Sequence, residues 1–190
     1  MKYLFFDTET TGLPKNYKAP ITDFNNWPRV VQLAYLIYDE QGNELKTKDV
    51  IIKPDGFIIP KESSNVHGIT TERAIAEGID LKTTLKEFDE DINSVDILVA
   101  HNISFDEAIM GCEFLRNGFG NSISSKRKIC TMKSSTNFCR IPGKYGFKWP
   151  SLSDLHIKLF GKNFDEAHNA LADIRATADC FWELKRRNIL

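Results

Sequence analysis

KYLFFDTETTGL, residues 2–13, decides how the rest of the chain is read. Tyr3 to Phe6 is an unbroken apolar and aromatic run, the composition of a strand buried on both faces. Asp7 and Glu9 follow it directly. Alternate residues of an extended chain share a face, so the two carboxylates point the same way. Held that close, they repel and raise at least one pKa unless a cation lies between them. Hard divalent cations such as Mg²⁺ take carboxylate oxygens. Alone, an Asp-x-Glu pair is more simply an exposed acidic turn that ends a strand. Segments further along reverse that reading.

At 190 residues, 42% hydrophobic and 27% charged, the chain has the size and composition of one soluble domain with a sizeable core. Its formal net charge of −1 gives no overall basic field, so any polyanion binding is local or carried by metal. Cys112, Cys130, Cys139 and Cys180 are widely spaced and form no C-x-x-C. That spacing points to reduced thiols rather than a zinc site or disulfide framework. The chain starts without the longer apolar segment of a signal peptide, and no run reaches membrane-span length. The expectation is a cytoplasmic protein with no membrane contact.

Moving outward, residues 15–28 are irregular, include Trp27, and are long for a loop. Arg29 to Asp39 and Glu44 to Lys53 are strand-like and flank the turn at Gln41-Gly42-Asn43, which predicts a hairpin. Lys61 to Gly68 reads as a polar turn. Thr70 or Thr71 caps a short helix, and Asp80 caps a longer one with Leu81, Leu85, Phe88 and Ile92 at helical spacing. Asp96 to Ala100 is a short buried strand, after which Ser104 caps a helix to about Arg116. A further short strand at Lys128 to Met132 leads into a weak helix and then a Gly/Pro/Lys-rich loop, Arg140 to Pro150. Ser151 caps a helix to Phe160, and a last helix covers about Asn169 to Arg187. Three opening strands followed by alternating helices and strands make one α/β domain, residues 1–190, with a mixed sheet.

Two later stretches bring further acids to element ends. HNISFD, residues 101–106, places Asp106 in the first turn of a helix, where an acid also suits the helix dipole. HNALAD, residues 168–173, places Asp173 one turn into the last helix among small and apolar neighbours. An acid on such a face is costly without a partner. His168 just before that helix reads, by itself, as a surface or cap residue.

Taken together, FDTETTGL (residues 6–13), HNISFD and HNALAD resemble the three ordered motifs of the DEDDh branch of the 3′–5′ exonuclease superfamily, the DnaQ-like proofreading group. VHGIT (residues 66–70) and SLSDL (residues 151–155) are similar to further segments of the bacterial epsilon subunit. The resemblance covers nearly the whole chain. It implies a ribonuclease-H-like mixed β-sheet flanked by helices. It also implies two divalent cations, Mg²⁺ or Mn²⁺, held by Asp7, Glu9, Asp106 and Asp173. Asp7 would bridge both, Asp106 would act partly through water, and His168 would be the general base. The implied reaction removes 5′-mononucleotides from single-stranded 3′ ends, DNA favoured. Alternatives are an RNA-processing exoribonuclease, a polymerase-associated proofreading subunit, a non-catalytic nucleic-acid-binding module, and an unrelated Mg²⁺-dependent phosphatase.

Substrate contacts follow at several positions. Thr8, Thr10, Thr11 and Gly12 offer N–H groups and hydroxyls to the terminal nucleotide. Leu13 either wedges against the last base or packs normally. His67 reaches the terminal sugar or base and Asn102 the backbone, while Phe105 is read first as core and second as a stacking surface. Lys126-Arg127-Lys128 and the loop with Arg140, Lys144 and Lys148 are either solvated surface or phosphate tracks. Trp27 is a lid or a packed anchor, and the exposed hairpin strand offers an edge for a homodimer.

Overall fold

The computed structural model describes residues 1–164 and 169–190. Its centre is a five-stranded sheet of β1 (Lys2–Thr10), β2 (Val30–Asp39), β3 (Glu44–Ile51), β4 (Ile97–Ala100) and β5 (Arg127–Cys130), in the order β3-β2-β1-β4-β5. β1 to β3 form an antiparallel meander, while β4 runs parallel to β1 and β5 parallel to β4. The mixed sheet and its flanking helices are the ribonuclease-H-like arrangement expected from the sequence.

β1 does not stop at Phe6. It pairs with β2 through Asp7↔Ala34 and Glu9↔Gln32 up to Thr10, so both acids lie within the strand rather than after it. Backbone pairing with β2 carries the strand past its apolar run, which the local composition does not reveal.

The helices are α1 (Lys61–His67), α2 (Thr71–Glu77), α3 (Leu81–Asn93), α4 (Ile103–Arg116), α5 (Thr131–Cys139), α6 (Leu152–Phe160) and α7 (Ala170–Arg186). α1 corrects the expected turn: a polar stretch closes into seven helical residues and ends at Gly68, whose φ of 74° suits glycine. α4 is capped by Asn102 in the left-handed region (φ 68°), not by Ser104. Asn tolerates that conformation better than most side chains. The 140–150 loop contains a small hairpin, β6 (Pro142–Gly143) and β7 (Gly146–Phe147). Thr70, Asp80, Ser151 and Asn169 cap their helices through side-chain oxygens, as the sequence indicates.

Each face of the sheet has its own core. Leu4, Phe6, Leu33, Tyr35 and Leu98 pack against the α3 and α4 side, including Leu85, Phe88 and Phe114. Tyr3, Phe5, Ala34, Leu36 and Val99 pack against α7 through Ala170, Ile174, Ala178 and Phe181. Phe5 and Phe181 meet edge-on with centroids 5.1 Å apart. Each fully buried phenylalanine of this kind contributes on the order of 1.5–3 kcal/mol. The small residues of α7 let it lie close to β1, and this closeness sets the site.

β3 and β5 are the edge strands of the sheet, and β3 belongs to the hairpin. Lys46 and Lys48 on it pair with Glu87, and Lys46 also with Asp91. Lysines on an edge oppose strand-to-strand association. Among the described residues, no helix is long and apolar enough to cross a membrane.

Candidate active site

The second half of β1 presents Asp7 and Glu9 on the α7 face, and the first turn of α7 presents Asp173. Asn169 fixes that turn by accepting hydrogen bonds from the N–H groups of Leu171 (3.1 Å) and Ala172 (3.2 Å). Asp7, Glu9 and Asp173 are each partly buried and each offers one carboxylate oxygen, all lying within 4.8 Å of one another. Burial, then the charges of Asp106, Asp173 and Glu9, raise the Asp7 carboxyl well above the ordinary range. Burial, with Asp173 and Asp106, pushes Glu9 up to about 8. Three oxygen donors of one sign, converging on a half-buried point, suit a hard divalent cation.

Asp106 enters from the first turn of α4 and is 3% exposed. Its Oδ1 accepts from both the Thr8 N–H (3.0 Å) and the Thr8 hydroxyl (2.8 Å). Burial pushes this carboxyl up to about 7, with the Thr8 bonds pulling the other way. Asp106 is not one of the three acids converging within 4.8 Å, although its charge acts on Asp7 and Glu9. The proposed base, His168, lies outside the described residues.

With that geometry in place, comparison with known proteins is decisive on family. The family model for exonucleases named RNase_T matches residues 4–181. The chain belongs to that exonuclease family. Curated relatives include the DNA polymerase III PolC-type of Staphylococcus haemolyticus, 28% identical over 183 residues, 94% of this chain and 11% of that protein. The chain thus spans about a ninth of the length of the curated relatives it matches. Similar solved structures include E. coli Exonuclease I in complex with a dT13 oligonucleotide, with a TM-score of 0.78 and 21% identity over 98% of this chain and 41% of that one. A zinc-bound form of an E. coli Exonuclease I–single-stranded DNA complex is also similar, with a TM-score of 0.75 and 22% identity over 98% and 40% of the chains. These structures share the fold.

Within this exonuclease-family chain, the expected substrate contacts separate. Thr8 is a correction: it is buried, and its N–H and hydroxyl both serve Asp106 rather than a nucleotide. Thr11 is another, since its N–H donates to the Arg29 carbonyl (2.9 Å) and its hydroxyl accepts from the Arg29 N–H (3.0 Å). The buried Thr10 hydroxyl donates to the Gly12 carbonyl (2.6 Å), so it shapes the turn and does not face outward. Gly12 has a φ of 145° and open space where a side chain would project. Beyond it Leu13 is 72% exposed, so it is not packed into the core.

His67 is buried, its Nδ1 accepting from the Ile69 N–H (3.1 Å), and burial lowers its pKa. It lines a cavity of about 220 Å³ with Gln32 and Asn169, the residue that caps α7. Phe105 is half-buried against the first core and also lines an aromatic cavity with Asn102. Trp27 is an anchor: it is 5% exposed and donates to the Pro20 carbonyl (3.1 Å). Lys126 and Lys128 bond the Val95 carbonyl and Glu107, which leaves little of that run for phosphate.

Sequence reasoning passed over His101. Its Nδ1 meets Thr131 Oγ1 (3.0 Å) and its Nε2 meets the Pro150 carbonyl (3.1 Å). A carbonyl only accepts, so Nε2 carries the proton and Nδ1 accepts from the hydroxyl. Burial drives the pKa down to about 4, which keeps the ring neutral. His101 lines a pocket of about 200 Å³ with Asp7, Asp173 and residues 151–153. Its position beside a motif acid was the available signal.

Proposed function

We propose that residues 1–190 form a single domain acting as a metal-dependent 3′–5′ exonuclease on single-stranded nucleic acid, DNA favoured, with release of 5′-mononucleotides. The observation that carries this is the convergence of Asp7, Glu9 and Asp173 within 4.8 Å from two distant parts of the chain. Three acids this close, with the charge of Asp106 acting on two of them, are untenable without cations, and phosphodiester hydrolysis is the reaction that uses such a set. Asp7, Glu9 and Asp173 would hold the cations, Mg²⁺ or Mn²⁺, with Asp106 contributing from beside Thr8. A bound pair of such ions supplies charge neutralisation at the phosphate and a lowered pKa for water.

This chain's own residues do the rest. His168 takes the proton from the attacking water; an imidazole with an ordinary pKa near 6.5 does so at neutral pH. Leu13, exposed beyond the Gly12 turn, rests against the terminal base. Asn169 holds the start of α7, and with it Asp173, in place. The dT13 complex of Exonuclease I supports single-stranded DNA as substrate. The PolC-type relatives support a second reading, nuclease action in association with a polymerase.

One digestion panel tests the proposal: labelled single-stranded DNA, duplex DNA and short RNA, each with Mg²⁺, Mn²⁺ or EDTA. Stepwise shortening of single-stranded DNA from the 3′ end is expected with metal only. Asp7→Asn and His168→Ala are expected to lower it by at least about 100-fold, the low end of what a general base contributes. Wild-type turnover in either variant sinks the assignment, and preferential RNA cleavage moves it to the exoribonuclease alternative.

A further inference from the structure

Tyr17 and Trp27 of the 15–28 segment and Trp149, two residues past β7, line a cavity of about 440 Å³ that the catalytic chemistry does not use. Four of its lining residues are aromatic, Tyr17, Trp27, Phe105 and Trp149, with Met132 beside them. Tyr17 is 60% exposed and Trp149 62%. The hairpin continues the pattern, with Tyr145 91% exposed at its tip. Large aromatic planes left open to water in a cluster mark a surface that something covers.

The charge around them is positive. Lys133 Nζ lies 5.9 Å from the Trp149 ring centre, and Lys144 Nζ lies 5.1 Å from that of Tyr145. Lys148 and Arg140 are exposed on the same segment, and no acid lines the cavity. Aromatic planes interleaved with cations fit the bases and phosphates of a single strand, with tolerance of any sequence.

Residues lining the groove neighbour, along the chain, residues lining the carboxylate pocket. Trp149 leads through Pro150 to Ser151, which lines the pocket containing Asp7 and Asp173. His101, which lines that pocket, is tied through Nε2 to the carbonyl of Pro150, the residue after Trp149 (3.1 Å). Asn102, next to His101, lines the aromatic side. The Tyr17 wall is built rather than loose. Asn26 accepts from the Asn16 N–H (2.8 Å) and donates to the Asn16 carbonyl (3.0 Å), which closes the loop around Tyr17.

We propose that this groove is the track for the bases upstream of the terminal nucleotide, with Trp149 and Tyr17 as stacking planes. The inference rests on the exonuclease reading above and adds where the body of the strand lies. It also gives the hairpin and the residues just after it a role: Lys144 at the turn and Lys148 and Trp149 beyond β7 would meet the phosphates and bases of the strand.

The test is fluorescence anisotropy of a 5′-labelled oligothymidylate in EDTA, where no cleavage occurs, with the wild type, Trp149→Ala, Tyr17→Ala and Trp149→Phe. Each alanine variant is expected to weaken binding by about 5- to 100-fold, the range for losing one stacked base. Trp149→Phe, which keeps a plane, is expected to recover most of it. With Mn²⁺, the alanine variants are expected to lose more kcat/KM on the oligonucleotide than on a p-nitrophenyl ester of a mononucleotide, which ends before the groove. Undetectable wild-type binding, unchanged affinity in both alanine variants, or equal losses on the two substrates overturns the groove; unchanged affinity leaves it to another occupant, such as a peptide. If the wild type cleaves neither substrate, the exonuclease reading fails, and the EDTA titration still decides the groove.

Discussion

Glu9 shows how much of the site is electrostatic. Burial, Asp173 and Asp106 push its folded-state pKa up to about 8, against an ordinary value of 4.5. The folded chain therefore binds more protons than the unfolded one between those values, and stability falls as pH rises through that window. Chelated protein is expected to show a lower Tm at pH 8 than at pH 5. Glu9→Gln removes one ionising member of the cluster, so that drop is expected to shrink in the variant. Added divalent cation is expected to raise the wild-type Tm more at pH 8 than at pH 5. Scanning calorimetry checks all three, and an equal drop in wild type and variant contradicts the coupling. At this scale the sequence was informative about identities and less so about duties. Asp7, Glu9 and Asp173 are legible because the motifs name them, although β1 runs on past the first two. The Thr8–Asp106 pair depends on how α4 packs against β1, and no local pattern encodes that.

Among the elements, α4 does more than deliver Asp106. Glu113, 0% exposed on its far end, accepts from Arg29 Nε (2.8 Å) and the Val30 N–H (3.2 Å). Arg116 Nη1 lies 2.8 Å from the same oxygen, and its Nη2 donates to the Phe24 carbonyl (2.8 Å). The Arg29 backbone in turn clasps Thr11 from both sides. One buried carboxylate thus joins α4, the start of β2, the 15–28 segment and the turn before Leu13. Glu113→Gln is expected to cost about 3 kcal/mol, the low end for a broken buried pair because Arg29 reaches solvent. Urea denaturation measures it, and proteolysis within residues 15–28 is expected to speed up. A stability loss without faster cleavage there would separate the carboxylate from the loop. Helix starts were readable wherever a Ser, Thr, Asp or Asn side chain accepts a capping hydrogen bond, which Asn102 at the start of α4 does not. α1 was not, because KESSNVH carries no side-chain cap and little apolar periodicity. The β6–β7 hairpin escaped notice because two-residue strands leave no alternation to detect.

At the scale of the molecule, the separation of α7 from β1 sets both the second core and the cation site. Ala170 is fully buried against the sheet and lies in the same first turn as Asp173. Ala170→Leu forces the helix outward and is expected to cost about 1–3 kcal/mol. Because the same displacement carries Asp173 away from Asp7 and Glu9, Mn²⁺ affinity is expected to fall along with Tm. Isothermal titration with Mn²⁺ decides it, and unchanged affinity in a destabilised variant would show that packing and ligand placement are independent. The α/β class and mixed sheet were legible from strand composition and element order. The closeness of α7 was only suggested, by the alanines around Asp173.

The acids at the heart of the molecule are contributed by β1 and α7, which lie far apart along the chain. A fragment lacking residues 170–190 would leave Tyr3 and Phe5 uncovered and the ligand set incomplete. Assembly of the cation ligands and closure of the hydrophobic interior are therefore one event, and a domain severed between those two elements loses both together.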